Sequence, residues 1–199
     1  FQTSPAAIAS ALGFAIVTMI RIQLDWPQQE AHNLLFNCLH WAFAFGSVFG
    51  LAATTLAQSR SGRPRAFLNS NLLSVAAVAV TFLLLHTFGG TEPTQVGSHF
   101  PVLSRLAASR VGAASLVSLI AFIVLAAYPE DQSDVARSFF MVHKAFFIAL
   151  VYGLVIEAGT SGVVGAIQAL LYRGMSSKVY MVLGTLSGFL AFTIFVGYF

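Results

Sequence analysis

At 199 residues and 21.2 kDa the chain has the length of one domain. Hydrophobic residues make up 57% of it and charged residues 9%, against roughly 45–50% and about 25% in soluble globular domains. With 10 Lys+Arg and 7 Asp+Glu there is too little charge to clothe a water-facing surface, which excludes a soluble enzyme, a nucleic-acid-binding module and a disordered tail. The composition is that of an all-α, polytopic integral membrane protein, with residues 1–199 forming a single transmembrane helical domain.

The net charge of +3 comes from few charges and reads as membrane orientation rather than affinity for nucleic acid. One cysteine, Cys38, excludes an intrachain disulfide and a cysteine-based metal site, and its apolar surroundings predict a packed, inert thiol. The chain begins at Phe1, as expected of either a removed targeting segment or a trimmed sequence.

A membrane-crossing helix needs about 20 mostly apolar residues. The first such run is 5–22, opened by Ser4 and Pro5, a favourable cap and first-turn pair. A polar stretch follows at 25–30, with Trp26 suited to a membrane interface. The second run, 33–57, ends in a basic loop holding Arg60, Arg63 and Arg65. The third run is 67–88, closed by Gly89 and Gly90, and the fourth, 102–128, follows Pro101. An acidic loop with Glu130, Asp131 and Asp134 leads to a fifth run at 139–172. That run is too long for an upright crossing of ~30 Å, so it either tilts strongly or breaks at Gly159-Thr160-Ser161-Gly162. The sixth run is 179–199. About six transmembrane helices are therefore expected, and the basic loop places both chain ends on the negative side of the membrane. Arg173 and Lys178 fall on the opposite side, so the charge rule is obeyed only in part.

Charges inside apolar runs carry the functional information, because each costs at least ~2.5 kcal/mol at the bilayer centre. Glu157 is the one embedded acid. It reads either as a proton-accepting carboxylate beside a water-filled half-channel or as a structural partner of Arg105, Arg110 or Lys144. Arg105 opens the fourth run and reads either as a permanent positive barrier or as a snorkelling side chain near Pro101. Arg110 lies about 140° around the helix from it, so the two cannot serve one narrow site without a break in the helix. Arg21, His143 and Lys144 read as residues that snorkel to the interface.

His40 and His86 can reach one level on antiparallel helices, so an axial haem pair is sterically open to them although no spacing demands it; His99 falls in a loop. The expectation is that the chain holds no cofactor and no metal. Gly159, Gly162, Gly165, Gly184 and Gly188 are expected to let helices approach closely. No phosphate loop, zinc spacing, nucleophile elbow or transporter-like repeat is present in the sequence.

Two segments carry a resemblance. The stretch from Ser104-Arg105-Leu106-Ala107-Ala108 through Ser109-Arg110-Val111-Gly112-Ala113-Ala114 to Ser115-Leu116-Val117 resembles the penultimate-helix motif of the a subunit of rotary (F-type) ATP synthases. Ala166-Ile167-Gln168-Ala169-Leu170-Leu171-Tyr172 resembles that family's last-helix motif, and Asn71-Leu72-Leu73 is similar to a sequence opening one of its earlier helices. Ser109 stands where the family has asparagine, Ala114 where it has histidine or glutamate, and Glu157 precedes Gln168 by one helical turn more than usual.

The resemblance implies a divergent mitochondrial form, in the inner membrane, that conducts protons through two half-channels against a proteolipid ring. Arg105 would be the charge facing the ring, Gln168 its last-helix neighbour and Glu157 a half-channel carboxylate, in a non-catalytic chain of a multi-subunit enzyme. Its partners would be the ring, other membrane subunits and lipids, with no nucleic acid. The alternative is a structural or haem-anchoring membrane subunit of a respiratory-chain complex, and a small independent channel or transporter is a third reading.

Overall fold

The computed structural model describes residues 4–25, 27–60, 64–92, 100–126 and 135–198. Trp26, residues 61–63 of the basic loop, His99 and the acidic loop at 129–134 lie outside them. The helices are α1 (Pro5–Gln23), a short α2 (Gln28–Ala31), α3 (Asn33–Arg60), α4 (Pro64–Phe88), α5 (Arg105–Ala126), α6 (Val135–Leu170) and α7 (Lys178–Tyr198). Six of them are long and apolar enough to cross a membrane. Strands β1 (Gly90–Thr91) and β2 (Val102–Leu103) pair antiparallel between α4 and α5. Exposed Leu, Val, Ile and Phe side chains cover α4, α5 and α6, the surface expected where the solvent is lipid.

Successive crossings run in opposite directions. Ala7 and Ile8 of α1, Leu51 of α3, Phe122 of α5, Val142 of α6 and Val196 of α7 meet in one buried cluster. That cluster sets both ends of the described chain at one end of the bundle, together with the end of α3. At the other end Lys178 Nζ, on α7, bridges to Asp25 Oδ1 after α1 at 2.7 Å and donates to Gln23 O at 3.1 Å.

The central helix is α3, packed on α1, α4 and α5. A row of five small residues on it at four-residue spacing (Cys38, Ala42, Gly46, Gly50 and Thr54) makes this possible. Cys38 and Ala42 are wholly buried, and Thr54 hydrogen-bonds Ser4 across the α1 interface. A methyl group at Gly50 would stand 3.1 Å from the Ala7 backbone nitrogen, so α1 and α3 touch almost backbone to backbone. Dispersion between closely packed backbones replaces the hydrophobic effect as the source of cohesion in lipid.

The glycine expectation needs correction. Gly159, Gly162 and Gly188 have nothing within 4 Å of a Cβ, and Gly165 meets only the Tyr180 hydroxyl at 3.7 Å. Close approach instead falls at Gly46, Gly50 and Gly153. Nor does α6 break at residues 159–162; its 36 residues are one helix of about 54 Å. The Thr160 hydroxyl donates to Ile156 O at 2.8 Å, so its polar group is satisfied inside the helix. The fourth crossing starts later than expected, because Val102 and Leu103 belong to β2. Ser104 receives the Ala107 N–H on its hydroxyl (3.1 Å) and donates its own N–H to Gly89 O (2.8 Å), capping α5.

Candidate functional site

Glu157 and Gln168 both contact α7. Glu157 sits half-buried on α6, with its carboxylate 3.8–4.0 Å from where a Cβ on Gly184 would be. Gly184 lies six residues into α7, about 9 Å along it from the Lys178 ion pair. The carboxylate is therefore inside the crossing and pressed against a neighbouring helix, which the cost of facing hydrocarbon demands. Ser161, one turn on, donates to Oε1 at 2.9 Å. Oε2 is buried and has no hydrogen-bond partner.

None of the three cations expected as structural partners pairs with it. Among the described residues the one ion pair within 4.0 Å is Lys178–Asp25. Arg105, Arg110 and Lys144 are exposed. One carboxylate oxygen is thus engaged and the other idle, which leaves room for a further hydrogen-bond partner at Oε2.

Gln168 Oε1 accepts the Tyr180 hydroxyl at 2.7 Å, tying the last turn of α6 to the first turn of α7. Arg105 is the first residue of α5, at the same end of the bundle as Gln168 by the alternation of the crossings. No described hydrogen bond or ion pair joins it to Gln168 or Glu157. A cation at a helix N-terminus opposes the helix dipole, so Arg105 is held there without local electrostatic reward.

A second polar assembly was not anticipated as one. Phe14, Thr18 and Arg21 on α1 face Asn33, Asn37 and His40 on α3. Thr18 Oγ1 and His40 Nε2 are 2.9 Å apart, and Phe14 lies against the imidazole with ring centroids 5.0 Å apart. Arg21 donates to Asn37 Oδ1 and Asn33 Oδ1, each at 2.9 Å. The shared i, i+4, i+7 spacing of the two triplets was the available signal. His40 is thus engaged with α1, whereas His86 is exposed on α4 beside Phe82. The two imidazoles are not set up as a facing pair. Among the described residues no three His, Cys, Asp or Glu side chains form a group able to hold a metal ion.

The fold and its embedded carboxylate define a polytopic, α-helical integral membrane protein. No protein-family model, curated protein or solved structure matches the chain.

Proposed function

We propose that this chain is a proton-conducting membrane subunit, of the kind that forms half-channels against a proteolipid ring in a rotary ATP synthase. The observation that carries the reading is the idle, buried Oε2 of Glu157. A structural carboxylate would be expected to have both oxygens engaged, whereas a relay group needs one free to exchange a proton. In this reading Glu157 takes the proton from an aqueous half-channel, with Ser161 fixing its rotamer. Gln168, held by Tyr180, and the unpaired Arg105 contribute the polar and positive contacts at one end of the bundle. Arg105 stays charged in any setting and repels a proton that would otherwise pass directly between half-channels. The exposed apolar length of α6, including Val151, Leu154, Val155 and Val163, gives a foreign helix a surface to run along. Assembly with other subunits in the mitochondrial inner membrane belongs to the same proposal.

A second reading, a structural subunit of a respiratory-chain complex, is favoured by one observation. Arg105 is exposed at a helix start and unconnected to Gln168. The two readings separate in vesicles containing the native assembly, with proton uptake followed by an entrapped pH dye. Glu157→Gln should stop uptake while the assembly stays intact, and Arg105→Ala should uncouple it or open a leak. Unchanged proton flux in both variants would leave the structural role in its place.

A further inference from the structure

A cavity of about 690 Å³ opens among α3, α5, α6 and α7, at the end of the bundle opposite Glu157 and Gln168. Its size is that of a small-molecule site. Its walls are apolar, running from Ile123 and Phe195 near the helix ends inward to Val48 and Leu119. One lining residue, His143, carries a polar side chain. The imidazole is held by Phe139, one turn back on α6, with ring centroids 3.9 Å apart and Nδ1 2.8 Å from Phe139 O. A carbonyl oxygen can only accept, so Nδ1 carries a proton, and in the tautomer with that single proton Nε2 is the acceptor. No described residue uses Nε2. Beside it stand Phe146, Phe147, Phe192 and Phe195, a set of faces and edges suited to a planar aromatic ring.

We propose that this cavity binds an isoprenoid quinol, with its ring among the phenylalanines and one hydroxyl donating to His143 Nε2. The long apolar wall takes the isoprenoid tail, which a phospholipid headgroup or a rigid, non-aromatic sterol ring would not match as well. Phe146 and Phe147, each more than half exposed, leave the mouth open sideways to lipid, the route by which such a molecule arrives. The geometry favours the reduced form, because a quinone carbonyl has no proton to give to Nε2. This site shares no residue with the proposed proton path and does not depend on it.

The test uses the full chain in phospholipid nanodiscs, with a decyl-substituted benzoquinol and its oxidised quinone as probes in equilibrium binding. Wild type should bind the quinol saturably and prefer it over the quinone by about tenfold, the scale of one hydrogen bond made or left unmade in an apolar site. His143→Ala should reduce that preference to about one. Leu150→Trp, which fills the cavity from α6, should abolish binding of both forms while far-UV circular dichroism stays unchanged. Absence of saturable binding by folded wild type, equal affinity for quinol and quinone, full preference retained in His143→Ala, or equal displacement by a sterol would each overturn the proposal.

Discussion

The crossing of α6 and α7 positions Glu157, and it rests on one missing methyl group. A Cβ on Gly153 would lie 2.8 Å from Ala191 Cβ, with the next atoms, Ser187 O and Ala191 Cα, at 3.8 and 3.9 Å. Carbon atoms pack best at about 3.5–4.0 Å, so Gly153→Ala must push the helices apart by roughly 1 Å. Overpacking of this kind costs about 1–3 kcal/mol. Ala191→Gly alone removes a methyl's dispersion contacts and adds a helix glycine costing roughly 0.5–1 kcal/mol. The double variant moves the methyl from α7 to α6 at constant volume. The clash then disappears, and the pair should lie within about 1 kcal/mol of wild type, well short of the sum of the single costs. Reversible unfolding in mixed detergent and SDS micelles, followed by far-UV circular dichroism, reads these differences. Gly153→Ala should also weaken the packing of Gly184 on the Glu157 carboxylate, one turn along. A neutral Gly153→Ala, or a double variant no better than the sum of its parts, would refute the close crossing.

Other substitutions separate the packed regions from the open ones. Phe122→Ala, in the wholly buried centre of the cluster, should destabilise by about 3–5 kcal/mol in the same unfolding assay. Gly159→Ala, which meets open space, should change stability by no more than about 1 kcal/mol and in the favourable direction. Lys178→Met removes a bridge whose acid is 83% exposed, and its effect should stay within about 1 kcal/mol and shrink in high salt. Each value is read from the shift in unfolding midpoint at constant slope.

The crossings themselves were legible because hydropathy over about 20 residues is a collective property, insensitive to any single side chain. Helix ends were less so. The short run before Arg105 is apolar enough to extend α5, yet Val102 and Leu103 are used by β2, and Ser104 begins the helix instead. Glycine within the membrane was the harder case. In water, Gly159-Thr160-Ser161-Gly162 reads as a break. In lipid the chain keeps its internal hydrogen bonds, and Thr160 and Ser161 bond back to their own helix. Spacing alone also could not tell which glycines meet a partner. Gly46 and Gly50 are buried because α3 is central, whereas Gly159 and Gly162 lie on a helix with few neighbours.

At the candidate site, the type of residue was legible and the partners were not. Glu157 stands out in any reading of its run, since an acid there is costly. That its neighbours are Ser161 and Gly184, rather than a cation, depends on which face of α6 turns to α7. Tyr180 as the partner of Gln168 is likewise a product of the α6–α7 turn. Arg105 opens α5 without a described hydrogen-bond or ion-pair partner.

Proton exchange at Glu157 within the membrane is the step on which the proposed function stands. Infrared difference spectroscopy of the assembly in lipid, recorded with and without an imposed proton gradient, reads the C=O stretch of a protonated carboxyl group directly. The expected result is a band that responds to the gradient, shifts in D2O and is absent from Glu157→Gln. Identical difference spectra for wild type and Glu157→Gln would rule that exchange out.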